Sequence, residues 1–159
     1  MKIRPAVPAD IPEILNLERQ CATAGHWTEA QYRRAFQPGS PPRLALVVEA
    51  ESPSSTQPPV ESATIQGFLI AQHLAPEWEL ENLVVAPSAR RHGIGKRLLQ
   101  ALLVAARKTN SSSVFLEARE SNAPARALYE QAGFEQSGRR AFYYTNPSED
   151  AILYRQTLR

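Results

Sequence analysis

Residues 83–99 read Leu-Val-Val-Ala-Pro-Ser-Ala-Arg-Arg-His-Gly-Ile-Gly-Lys-Arg-Leu-Leu. An apolar run of strand type ends before Pro87, and a short basic turn follows. Gly93-Ile94-Gly95 then opens a pattern of apolar residues, Ile94, Leu98, Leu99, Leu102 and Leu103, spaced to lie on one helix face. A strand that passes through glycines straight into an amphipathic helix restricts the fold more than any other segment. It asks for a layered arrangement in which helix covers sheet, and it sets a helix start beside the end of a strand. The first amides of a helix have no partner inside it and sit at the positive end of its dipole, so they receive anions. Arg90, Arg91, His92 and Lys96 surround that start, and the arginines add charge-assisted donors. The segment predicts an anion site, most simply a phosphate site, with the solvated helix start as the plainer alternative.

Two familiar phosphate loops do not fit. A P-loop needs a glycine with four residues between it and the Gly-Lys pair, and Ser or Thr after the lysine; here Arg90 and Arg97 stand in those places. A dinucleotide fingerprint needs a third small residue where this chain has Leu98.

Charge supports the same half of the chain. The formal net charge is only +2, but residues 1–80 hold 6 basic and 9 acidic side chains while residues 81–159 hold 12 and 7. A basic half suggests an anionic partner without saying which. At 159 residues the chain is of single-domain size, and the reading is one domain over 1–159. Its one cysteine, Cys21, excludes an internal disulfide and argues against a cysteine-held zinc; no metal is expected, and the setting is read as reducing and cytoplasmic. Residues 1–10 carry Lys2, Arg4 and Asp10 with no apolar core behind them, and no apolar run approaches the ~20 residues of a membrane span, so a soluble chain is expected.

Periodicity and punctuation give the remaining elements. Strands are expected at residues 2–6, 44–49, 67–74, 79–85, 114–118, 134–144 and 151–158. Helices are expected from about Pro8 with Asp10 as a cap, from Thr28 with Gln31 completing a capping box, over 93–108, and over 123–132 after Ser121 or Asn122. Six of the 13 prolines fall between Pro38 and Pro59, and residues 51–62 have almost nothing to bury, which reads as a mobile loop between two strands. The order βααβββαβαββ is an α/β (mixed α+β) class in one packed domain.

The run Arg90-Arg91-His92-Gly93-Ile94-Gly95 resembles the Arg/Gln-x-x-Gly-x-Gly/Ala signature of the GCN5-related N-acetyltransferase (GNAT) family. Leu116-Glu117-Ala118-Arg119, Ser121-Asn122, Ala127-Leu128-Tyr129-Glu130, Ala132-Gly133-Phe134, Arg139-Arg140, Tyr143-Tyr144 and Glu149-Asp150-Ala151-Ile152 extend the resemblance to the RimI branch, which acetylates the N-terminal alanine of ribosomal protein S18. His26-Trp27-Thr28-Glu29 is similar to that branch as well. The resemblance implies a mostly antiparallel sheet flanked by helices and transfer of acetyl from acetyl-CoA to a protein N-terminal amine. A lysine side chain, a small-molecule amine, or at greater distance a non-enzymatic RNA- or ribosome-binding role, stand as alternatives. No direct nucleic-acid contact, no membrane partner and a monomer are expected.

The same resemblance assigns roles. Glu117 becomes the general base and Tyr129 the acid for the departing thiolate. Leu83, Val84 and Val85 offer backbone to the pantetheine arm. Arg90, Arg91, His92, Gly93, Ile94, Gly95 and Lys96 hold the pyrophosphate, and Asn122 touches the cofactor. Trp27, Tyr143 and Tyr144 wall the acceptor groove. Residue chemistry alone offers plainer readings: an ion pair of Glu117 with Arg119 on the same strand face, a packed ring for Tyr129, a helix cap for Asn122 and ordinary strand propensity for the tyrosines. Glu81 departs from the branch, which commonly has an apolar residue there. It is the second candidate base and part of the acceptor site, with Glu79 alternating beside it.

Overall fold

The computed structural model describes residues 1–21, 27–38, 42–50 and 64–159. The expected loop at 51–62 and His26 lie outside the described residues. Strand β1 (Lys2–Pro5) leads through a 3-10 turn into helix α1 (Ile11–Arg19), and α2 (Glu29–Ala35) follows. Three strands, β2 (Arg43–Glu49), β3 (Ile65–Leu74) and β4 (Glu77–Val85), precede helix α3 (Ile94–Lys108). Then come β5 (Ser113–Arg119), α4 (Ala123–Gln131), β6 (Glu135–Tyr144) and β7 (Glu149–Thr157). This is the expected order βααβββαβαββ, and the class is α/β.

All seven strands form one sheet in the order β1-β2-β3-β4-β5-β7-β6. Every neighbouring pair is antiparallel except β4 and β5, which run parallel. Leu69, Ile70 and Phe68 of β3, Leu98, Leu99 and Leu102 of α3, and Leu116, Ile152 and Tyr154 of β5 and β7 lie at the centre of the core with almost no exposed surface. The apolar stripe read in residues 94–103 is the face that α3 buries.

The local signals behave as their chemistry requires, with one correction. Thr28 Oγ1 accepts from the Gln31 amide and Gln31 returns a bond to the Thr28 amide, closing the capping box of α2. Asn122 Oδ1 accepts from the Ala125 amide and caps α4. Asp10 occupies the N-cap position of α1 but makes no side-chain cap there. Its carboxylate turns back to the Val7 amide and to Arg4, because a buried carboxylate gains more from a guanidinium than from one helix amide. Among the described residues no helix is long and apolar enough to cross a membrane.

Candidate active site

The parallel pairing of β4 with β5 covers only Glu77↔Ser113, Trp78↔Val114 and Glu79↔Phe115. Beyond those three pairs the strands diverge. The edge of β4 from Leu80 to Val85 that faces β5 therefore has backbone donors and acceptors without a strand partner. Glu81 lies at a bulge, since Leu80 pairs with Ala71 and Asn82 with Ile70, leaving Glu81 the extra residue. A bulge bends its strand and re-aims side chains, and here it sits where the fork opens.

Carboxylates gather at this fork. Glu81 Oε1 accepts from Arg43 Nε at 2.9 Å, and the same guanidinium reaches Gln72 Oε1 at 2.9 Å. Glu117 Oε1 lies 3.3 Å from Arg140 Nη2 on β6, and the Tyr143 phenol is pushed up first by hydrogen bonding to that carboxylate. The alternative partner for Glu117 is taken: Arg119 pairs with Glu149 at 3.3 Å and stacks over Tyr144 at 4.3 Å from the ring centre. Glu79 is different. No ion pair or hydrogen bond of its side chain is found among the described residues; burial, then the charges of Glu81 and Glu117, raise its pKa above the ordinary carboxyl value against the weaker pull of Arg140 and Arg43. Tyr144 is raised to about 12, by burial first and by Glu117 second.

Helix α4 brings in the phenol. Tyr129 is the one buried side chain of that helix, packed edge-on to Phe134 and tilted against Tyr154, each with ring centres 6.1 Å apart. Burial and the neighbouring Tyr144 hold its pKa well above the usual phenol value, so it is neutral and carries its proton throughout the physiological range. Its hydroxyl has no hydrogen-bond partner among the described residues, whereas its ring is fully engaged. Packing and availability of the proton coexist at this position.

The loop between β4 and α3 keeps an open helix start. Arg91 at φ 67 and Gly93 at φ 76 both adopt left-handed backbone, and no side chain caps α3. Gly93 needs its missing Cβ for that dihedral. Gly95 lies close under Leu128, whose Cδ2 would stand 2.9 Å from a Cβ at that position. The start of α3 and the middle of α4 are thus held in contact, one residue from Tyr129. Arg91 and Lys96 are exposed and have no acidic partner among the described residues, while Arg90 folds back onto the Val85 carbonyl (3.3 Å) and Cys21 Sγ (3.4 Å). His92 Nδ1 sits 3.2 Å from the Ala89 carbonyl. Free amides flanked by unpaired cations suit a pyrophosphate, so the residues fit the implied group.

Most of the sequence-derived set converges. Leu83, Val84 and Val85, the 90–96 loop, Glu81, Glu117, Tyr129, Tyr143 and Tyr144 lie around the fork or at the elements that border it. Asn122 is accounted for by its cap. Trp27 donates its amide to Glu18 Oε1 and leans its ring on Tyr32, and Asn82 of the open β4 segment donates through Nδ2 to that carboxylate at 3.2 Å and to the Tyr32 hydroxyl at 3.0 Å; Trp27 also lines a cavity of about 270 Å³ with Leu15, Glu18, Arg19, Thr28 and Glu29. None of the fork residues lines that cavity. Of the two arginines that neutralise two of the three carboxylates, Arg43 carries no signal in the sequence and Arg140 stands there only within the Arg139-Arg140 match, with no role at the site. Neither is near its partner in the chain, and only the register β5-β7-β6 brings Arg140 diagonally across from Glu117.

A sequence model of the acetyltransferase (GNAT) family matches residues 11–134. The chain is 38% identical over 95 residues to the ribosomal protein bS18-alanine N-acetyltransferase of Escherichia coli K12, and 38% identical over 97 residues to the protein of that name from Haemophilus influenzae. The E. coli match covers 58% of this chain and 64% of the relative, so the chain spans a little under two thirds of that curated relative's length. The solved ribosomal-protein-S18-alanine N-acetyltransferase from Escherichia coli superposes with a TM-score of 0.76 at 28% identity, over 98% of this chain and 92% of that one. Arabidopsis thaliana NAA60 in complex with acetyl-CoA superposes at 0.86 over 99% and 98%, but at 17% identity, a likeness of fold.

Proposed function

The chain belongs to the GNAT acetyltransferase family, and on that footing we propose that it transfers the acetyl group of acetyl-CoA to the free α-amine of a protein N-terminus, of the ribosomal-protein class named for its relatives. The observation that carries this reading is the fork: unpaired β4 backbone with a carboxylate cluster beside it, followed in the chain by an open helix start. In this reading the chain acts as one domain and as a monomer.

The chemistry follows from what each group can do. The first-turn amides of α3, with Arg91 and Lys96, hold the pyrophosphate, and the free edge of Leu83–Val85 accepts the pantetheine arm as a strand would accept a neighbour. An α-ammonium loses its proton near pH ~8 and a lysine near ~10.4, so the N-terminal amine is the easier nucleophile at neutral pH. Glu117, paired with Arg140, draws the ammonium in. Glu79, with no cation of its own and a raised pKa, is the better final proton acceptor, and Glu117 or an intervening water passes the proton to it. The neutral amine attacks the thioester carbon, a β4 amide supports the oxyanion, and the thiolate departs with the proton of Tyr129, while the proton that the acylated nitrogen sheds restores the phenol directly or through water.

A second reading has one observation in its favour. Three carboxylates at one acceptor site suit a more basic amine, a lysine side chain or a small diamine. Incubation with acetyl-CoA and paired peptides, identical except for a free or blocked N-terminus, and read by intact mass, separates the two. One acetyl on the free peptide and none on the blocked one is expected. Acetylation of lysine in both peptides would transfer the assignment to the second reading.

A further inference from the structure

Helix α4 has nine residues and buries only Tyr129. A helix this short is marginal alone, since isolated helices need ~12–15 residues. The Tyr129 ring sets its depth, and Ala125 and Leu128, only partly buried, pack beside it against the core. A second attachment stands beside that ring. The Tyr154 hydroxyl, on a residue with 0% of its surface exposed, accepts from Arg126 Nε at 2.9 Å and donates to Glu130 Oε1 at 2.9 Å. Arg126 also donates through Nη1 to the Glu120 carbonyl at 3.0 Å, on the loop that precedes the helix. Arg126 and Glu130 are four residues apart and so share a helix face, with Tyr129 between them in sequence. One buried hydroxyl therefore grips both ends of a turn whose middle carries the phenol.

We propose that Tyr154, Arg126 and Glu130 form a clasp that sets the rotation of α4, so that the Tyr129 hydroxyl faces the β4–β5 fork. These are positioning residues: none of them reaches the fork. The clasp rests on the reading of Tyr129 as the proton donor. Its logic is economical, because a proton donor must leave its own hydroxyl unbonded until the thiolate forms, and it cannot anchor itself through that group. The neighbouring ring of Tyr154 holds Tyr129 by packing while its hydroxyl holds the helix. Angular error at such a position is costly, as displacements near ~1 Å cost up to ~10²-fold in rate.

The test is a mutant cycle with kinetics of the full chain. Tyr154→Phe is expected to lower kcat about tenfold with KM for acetyl-CoA held within about twofold. Glu130→Ala repeats that loss at the protein's surface, where folding is not at stake, and Glu130→Gln, which keeps an acceptor oxygen, restores most of it. In the Tyr129→Phe background, Tyr154→Phe adds no further loss, because there is no proton left to aim. Wild-type kcat in both Tyr154→Phe and Glu130→Ala overturns the clasp. So does a loss that multiplies with that of Tyr129→Phe, which marks general loosening of the fold. Full activity in Tyr129→Phe itself is the separate result that removes the proton-donor reading and, with it, the reason for a clasp.

Discussion

Two groups of charges on the same sheet have opposite fates. At the N-terminal edge, Arg4 lies between Asp10 and Glu49. Its Nη1 and Nη2 each donate to Asp10 at 2.8 Å, its Nε donates to Glu49, and the Val7 amide completes Asp10 at 2.8 Å. The guanidinium bond is the largest cause of a carboxyl held below its ordinary value. At the fork, three carboxylates share two arginines on the rim, and Glu79 is left with neither a cation nor a donor; its proton is held more tightly than usual. A cluster in which both carboxylates accept from the guanidinium fastens β1 to the turn before α1. One that leaves a carboxyl short of partners keeps a group able to change protonation state, which is what proton transfer requires.

The strongest way to break the comparison is to neutralise one carboxylate in each cluster and measure turnover. Glu79→Gln is expected to lower kcat by about 10²–10³-fold, the scale of lost acid–base assistance, while Asp10→Asn leaves kcat within about twofold. Equal losses in the two variants would mean that both clusters are structural.

A smaller effect, in stability, has the opposite order. Asp10 has a depressed pKa, so its support is full above the unfolded value of ~3.9 and is lost as pH falls through the folded value. Glu79 has a raised pKa, so the fold is favoured below the unfolded value of ~4.3 and that advantage is lost as pH rises through the folded value. Urea midpoints should therefore show Asp10→Asn below wild type at pH ~7.5, with the gap closing on acidification, and Glu79→Gln above wild type at pH ~7.5, with no gain below pH ~4. A Glu79→Gln protein less stable than wild type at neutral pH would mean that Glu79 is paired in solution.

The contrast also marks how far the sequence could be read. The strand–loop–helix segment, the capping box at Thr28 and the stripe of α3 are local, and each is present as expected. Glu117 and Tyr129 are marked by a charged residue in an apolar strand and by a matching motif. What decides their chemistry is not local. Arg140 reaches Glu117 across two strand registers, Arg43 reaches Glu81 over a bulge, and Asp10 leaves its helix for Arg4. Asn122 shows the converse, since its cap is fully legible in the sequence.

Proton donation to the departing thiolate needs a phenol that is neutral, unbonded and aimed at the fork. Its most direct test is the single-turnover rate of acetyl transfer by Tyr129→Phe, set beside the dissociation constant of acetyl-CoA by calorimetry. A rate lowered about 10²-fold, with acetyl-CoA affinity unchanged within about twofold, is the predicted result. A wild-type rate, or a rate that falls only in step with affinity, would contradict it.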